Sequence, residues 1–173
     1  MPRRILAVLL DFGDTLADEG TARADATGFT YDIELVEGAR ELLVELRRRG
    51  YRVALVADGR SDDSALLRAR HDLDALLDAV VVSDEVGATK PDRRPYEVAL
   101  ARLGLSTQDA ARVVMVGNRL ERDVRGANAR GFVSVWIDWS PRYRTAPVGP
   151  EERPRHVIRR PLELLDVLER LEG

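Results

Sequence analysis

The chain contains no cysteine and only one lysine. Without thiols, disulfides and thiolate metal centres are excluded. Its two histidines, His71 and His156, are too few for a conventional zinc centre. Any metal has to be held by oxygens, which favours Mg²⁺ or a similar hard cation. No apolar run approaches the roughly 20 residues that a membrane-spanning helix needs. The opening Met1-Pro2-Arg3-Arg4-Ile5-Leu6-Ala7-Val8-Leu9-Leu10 is like the start of a signal peptide, but the run is short and Asp11 ends it. No small-residue cleavage pattern follows, so the expectation is a cytoplasmic protein. A net charge of −3 counts against a broad nucleic-acid-binding surface.

What is present is ordinary for a folded chain: 173 residues, 45% apolar and 33% charged. That length and balance predict one domain over 1–173, able to bury roughly 70% of the surface its unfolded form exposes. Apolar runs alternate with amphipathic stretches. Residues 5–10 form a continuous apolar run of the kind expected for a strand covered on both faces. Ala39, Leu42, Leu43 and Leu46 share a helical face that Gly50 closes. Further strands are expected at 51–57, 79–83, 113–117 and 132–137. Helices are expected at 62–70, around Tyr96, Ala99, Leu100 and Leu103, at 120–130, and around Leu164, Val167, Leu168 and Leu171.

This alternation predicts a Rossmann-like three-layer α/β/α sandwich on a mostly parallel sheet of five to six strands. Ligands bind such sheets at the carboxyl ends of the strands. The rule selects Asp11 after the first strand, Ala57-Asp58-Gly59 after the second, and Gly117-Asn118 after the fourth. Two stretches depart from the alternation. Residues 13–34 are polar, with a hairpin turn expected at Thr27-Gly28-Phe29-Thr30. Residues 138–160 are rich in Pro and Arg and precede a terminal helix at 161–172.

The lone lysine is Lys90, in Gly87-Ala88-Thr89-Lys90-Pro91. Lysine brings a compact ammonium on a flexible stem, where arginine brings a rigid planar fork. Asp11-Phe12-Gly13-Asp14-Thr15-Leu16 after a buried strand, Lys90-Pro91 in mid-chain, and Gly117-Asn118 followed by Asp123 together resemble the haloacid dehalogenase (HAD) superfamily. Most of its members are Mg²⁺-dependent phosphohydrolases. The similarity runs from Leu6 to about Ile137.

The resemblance implies that Asp11 attacks phosphorus and forms an aspartyl-phosphate, which water hydrolyses. It implies that Lys90 neutralises the nucleophile and the phosphoryl oxygens. It implies a Mg²⁺ site made of Asp11, the Gly13 backbone carbonyl, Asn118 and Asp123, and substrate contacts from Ala57, Asp58, Gly59 and Lys90. The partner would be a phosphorylated substrate.

Four positions depart from the family pattern. The second Asp of the first motif, the general acid and base, is replaced by Gly13, and Asp14 stands where the family has glycine. Since acid–base catalysis contributes about 10²–10⁴-fold, slow turnover is expected. Asp14 is expected in a surface turn. Ala57 replaces the Ser or Thr that would hydrogen-bond the phosphoryl group. Asn118 replaces an Asp, and its amide adds no charge toward a metal.

The roughly twenty residues after Leu16 are too few for a helical cap, so a capless site is expected, open to a bulky substrate or closed by a second subunit. Arg142, Arg144, Arg153 and Arg155 are expected in a solvated loop, and Trp136 and Trp139 in core or interface packing. A binding or assembly module that has lost catalysis, and a dehalogenase-like hydrolase, are the alternative readings.

Overall fold

The structure, a computed structural model, describes residues 3–173. A six-stranded sheet carries the fold, built from β1 (Ala7–Leu10), β4 (Arg52–Ala57), β5 (Ala79–Val82), β6 (Val113–Gly117), β7 (Val133–Ile137) and β8 (His156–Ile158). Their order is β5-β4-β1-β6-β7-β8, and every neighbouring pair is parallel. β1 lies between β4 and β6, with Leu10 level with Leu55 on one side and Val116 on the other. The chain winds outward from β1 to β5, then returns to β6 and winds the other way. That reversal opens a crevice beyond the carboxyl ends of β1 and β6.

The four residues of β1 are all buried because helices cover both faces of the sheet. Val8, Leu10, Val53, Leu55, Val114 and Val116 face one layer, with α1 (Ala39–Arg48) and α6 (Glu163–Glu172). Ala7, Leu9, Ala54, Val56, Val113 and Met115 face the other, with α4 (Arg93–Arg102) and α5 (Arg125–Ala129). Leu42, Leu43 and Leu46 of α1 are fully buried, each contributing about 1.5–3 kcal/mol by removal from water. The Rossmann-like α/β architecture is as the alternation predicts. The sixth strand is the short β8, which lies inside the 138–160 stretch expected to be irregular.

Residues 13–34 are more ordered than their polarity suggests. β2 (Ala17–Ala24) and β3 (Thr30–Leu35) form a two-stranded antiparallel ribbon whose register shifts twice. Its turn lies where the sequence predicts: Asp25 Oδ1 accepts from the Thr27 and Phe29 amides, and Gly28 takes a φ of 80°. The ribbon stands on α2 (Ser61–Arg70), where Ala17, Ile33 and Leu67 pack together and His71 bonds the Ile33 carbonyl. Among the described residues, no helix is long and apolar enough to cross a membrane.

Candidate active site

Asp11 follows β1 directly, and its amide still bonds the Val116 carbonyl, which holds the residue at the carboxyl end of the sheet. The chain then turns sharply, the Phe12 carbonyl accepting from the Thr15, Leu16 and Ala17 amides. Beyond β6, Asn118 leads into a wide helical turn, Leu120–Val124, before α5. Its five-residue hydrogen-bond pattern is rare, and such turns recur at functional sites. It folds Asp123 back over the end of β6. A Cβ on Gly117 would overlap the Asp123 carboxyl group, so only glycine admits that approach.

Lys90 reaches this crevice from the segment before α4. Its Nζ donates to Asp11 Oδ1 at 2.8 Å, Asp123 Oδ1 at 2.7 Å and the Val56 carbonyl at 2.8 Å. Three acceptors take all three ammonium hydrogens, and the side chain is 1% exposed. An arginine fork, planar and bulkier, cannot meet the same three points.

Burial alone would push the Lys90 pKa down, but the charges of Asp11 and then Asp123 outweigh it, and the ammonium is held more firmly than usual. Asp123 shifts upward, first through burial and then through the charge of Asp11, which Lys90 only partly offsets. The two shifts agree once the charges are counted: one ammonium serves two buried carboxylates, leaving an excess of negative charge.

Asp58 braces the lysine from outside, with Oδ1 accepting the Lys90 amide and Oδ2 accepting Arg122. The Gly59 amide is bound to Ser83 Oγ, at the start of α3 (Ser83–Val86). Both groups are thus engaged with protein. Ala57, Asp58 and Gly59 line a cavity of about 360 Å³ beneath the ribbon. This cavity shares Gly13, Glu19 and Asp58 with a smaller one of about 160 Å³ around Asp11, Lys90, Asn118 and Asp123. The structure therefore brings Asp11, Gly13, Lys90, Asn118 and Asp123 together in one pocket, with Ala57 and Gly59 in the adjoining one.

Among the described residues, no three His, Cys, Asp or Glu side chains are arranged to hold a metal ion. The oxygens here are of mixed type, and they fit a hard cation. Asn118 Oδ1 is buried without a hydrogen-bond partner, an unusual cost for an amide oxygen. It sits beside two carboxylates with too little positive charge between them.

Asp14 corrects the expectation of a surface turn. It is fully buried, with φ 47°, a left-handed conformation that Asp tolerates better than most residues. Its Oδ1 accepts the Glu19 amide, its Oδ2 accepts Ser140 Oγ and Arg142 Nε, and its carbonyl accepts Trp139 Nε1. Arg142 and Arg144 stay solvent-exposed in their loop, as expected, but both are ion-paired. Arg142 pairs with Asp14, and Arg144 grips both oxygens of the buried Glu152. The 138–160 segment is thereby fastened beside the pocket. Trp136 packs on Leu120 and Val124, as expected, and donates to the Asn118 carbonyl.

Sequence reasoning missed four residues lining the smaller cavity: Glu19, Arg119, Arg122 and Tyr143. Arg119 and Arg122 closely precede Asp123 in sequence and could have been flagged by that spacing. Tyr143 Oη donates to Glu19 Oε2 at 2.6 Å, and Arg119 lies over the Tyr143 ring. Glu19 is half-buried. Burial raises its pKa, with Asp14 and Asp11 adding to the rise and Tyr143 and Arg142 opposing it.

The family model for haloacid dehalogenase-like hydrolases matches residues 6–131. The chain belongs to this family. Within it, the chain is 30% identical over 164 residues to a glyceraldehyde 3-phosphate phosphatase of Pyrococcus furiosus, spanning 95% of this chain and 66% of that protein. It is 37% identical to a phosphoserine phosphatase of Thermus thermophilus, over 67% of this chain and 44% of that one. The chain thus spans about half to two thirds of these longer HAD hydrolases.

Among solved HAD structures, a phosphatase from Thermococcus onnurineus superposes with a TM-score of 0.74 at 22% identity, covering 95% of this chain and 98% of that one. YfnB of Bacillus subtilis, solved bound to magnesium, gives 0.77 at 16% identity over 96% of this chain and 99% of that one. A 2-haloacid dehalogenase from Pseudomonas syringae is also similar, with a TM-score of 0.75 at 16% identity over 96% and 99%. At these identities the structural likeness establishes the fold alone.

Proposed function

We propose that this chain hydrolyses a phosphate monoester through an aspartyl-phosphate on Asp11. One observation carries the reading: Lys90 Nζ bridges Asp11 and Asp123 inside a buried pocket at the switch point of the sheet. In this reading Asp11 Oδ2, the oxygen not bonded to Lys90, attacks phosphorus. Lys90 holds the nucleophile's orientation and offsets charge that develops on the phosphoryl oxygens.

Asp11, Asn118, Asp123 and the Gly13 carbonyl would hold Mg²⁺, which would supply the positive charge the pocket lacks. Arg119 and Arg122 at the rim offer forks for the incoming anion. The ribbon and the 138–160 segment flank the pocket, and the chain has no larger insertion after the first motif. A capless site, cytoplasmic residence and a phosphorylated small molecule as partner belong to the same proposal. So does a second copy of the chain as additional cover.

The names of the curated relatives support phosphate ester hydrolysis as the reaction. The test is release of p-nitrophenol from p-nitrophenyl phosphate with Mg²⁺. Asp11→Asn should abolish turnover while Mg²⁺ still binds by calorimetry, and equal rates in the two proteins would remove Asp11 as nucleophile. Mg²⁺ binding without turnover in the native chain would favour a binding module instead.

A further inference from the structure

Gly13 cannot transfer a proton, yet the space beside it is filled. A Cβ built on Gly13 would overlap Glu19 Oε1 and lie 2.8 Å from Glu19 Cδ and 3.0 Å from Cγ. A carboxyl group delivered by the ribbon therefore occupies the volume into which a side chain at position 13 would project. Glu19 lines both cavities, together with Asp11 in the smaller one. Tyr143 holds Oε2, and among the described residues no protein donor bonds Oε1, the oxygen next to Gly13.

The neighbouring residue completes the arrangement. Asp14, standing where the family has glycine, accepts the Glu19 amide on Oδ1 and anchors Ser140 and Arg142 on Oδ2. The exchange at positions 13 and 14 is thus used twice: Gly13 leaves room for the Glu19 carboxyl group, and Asp14 fixes the backbone that presents it.

We propose that Glu19 is the general acid and base of this site, replacing from the ribbon the carboxylate missing at position 13. This rests on the phosphatase reading above. As Asp11 attacks, the bond between phosphorus and the ester oxygen breaks, and its electron pair stays on that oxygen. The Glu19 carboxyl proton goes to the departing alkoxide, leaving Glu19 ionised. A water molecule then attacks the phosphorus of the aspartyl-phosphate and gives one proton to Glu19. The bond from phosphorus to Asp11 breaks, returning the Asp11 carboxylate and releasing inorganic phosphate. Both residues end as they began. Tyr143 acts as a positioning residue, through its bond to Oε2.

The experiment compares the native chain, Asp11→Asn, Glu19→Gln, Glu19→Ala and the double variant Glu19→Ala/Gly13→Asp on p-nitrophenyl phosphate and glycerol phosphate. Nitrophenolate leaves without a proton and the glycerol alkoxide does not. Glu19→Gln should therefore lose about 10²–10⁴-fold on glycerol phosphate. On p-nitrophenyl phosphate it should give a burst of one nitrophenol per site, with phosphoryl-enzyme accumulating in its intact mass.

A merely structural Glu19 would give neither the burst nor the leaving-group dependence. The double variant should regain at least tenfold over Glu19→Ala, since removing the Glu19 carboxyl group frees the space for an aspartate side chain at position 13. In the native background Gly13→Asp should lower the melting temperature through the overlap. Full turnover of both esters by Glu19→Gln, with Asp11→Asn inactive, would overturn this inference alone. A native chain inactive on every ester tested overturns it together with the phosphatase reading.

Discussion

The pocket has two walls built in different ways. On one side Lys90, Asp11 and Asp123 hang from strand ends and the turn after β6, and the lysine side chain is 1% exposed. On the other, Glu19 comes from a ribbon that is mostly solvent-facing beyond its first residues, and its side chain is 34% exposed. The first wall is fixed by the core: moving Lys90 would break three hydrogen bonds among buried groups. The second is fixed by polar contacts that converge on Glu19 and its turn: Asp14 accepts the Glu19 amide and Arg142, and Tyr143 donates to the Glu19 carboxyl group. Attack and charge compensation demand fixed geometry, which the sheet supplies. A group that gives up and retakes a proton from two different partners can work from a less rigid mount.

Breaking the rigid wall should have the largest effect. Lys90→Met strands two buried carboxylates and should cost about 3–5 kcal/mol of stability, with activity lost. Denaturant unfolding measures the first and phosphate release the second. Lys90→Arg should fare little better, because its fork cannot satisfy the three acceptors; near-native stability in that variant would break the contrast.

The second wall should yield more gently. Asp14→Ala leaves the Glu19 amide, Ser140 and Arg142 without their acceptor and puts alanine at a positive φ, for about 2–3 kcal/mol. Asp14→Asn should recover only the part owed to the positive φ and the Glu19 amide, because its Nδ2 cannot accept from Ser140 or Arg142, and thermal melting would show the remaining loss.

The smallest effect concerns pH. Arg144, and then the Val148 amide, hold the Glu152 carboxyl below its ordinary value of 4.5. Ionised Glu152 therefore stabilises the ordered segment above that value, and the contribution is lost as pH falls toward the lowered one. Amide-exchange protection in 138–160 should drop about fivefold more on acidification in the native chain than in Glu152→Gln, the scale of ~1 kcal/mol. Equal drops would detach this segment from Glu152.

The same division explains what the sequence disclosed. The β1 run, the α1 stripe of Leu42, Leu43 and Leu46, and the strand-end positions of Asp11 and Asn118 are local patterns, readable because burial on a sheet or helix imposes a period. Lys90 was readable because it interrupts a chain that otherwise uses arginine. β8 was not, since three residues, one of them an exposed valine, carry no period. Asp14 and Glu19 were misread or missed for a different reason. Their partners Ser140, Arg142 and Tyr143 lie 124 to 128 residues away, and no local pattern encodes a hydrogen bond across that distance.

The two tryptophans of the chain bear on both halves of the pocket. Trp136 donates its indole hydrogen to the Asn118 carbonyl and Trp139 donates its own to the Asp14 carbonyl. Each fluorophore is tied to the backbone of one motif loop, Trp136 buried and Trp139 only partly so. The protein thus carries two unlabelled fluorophores, one bonded to the loop that carries Asn118 and the other to the turn that carries Gly13.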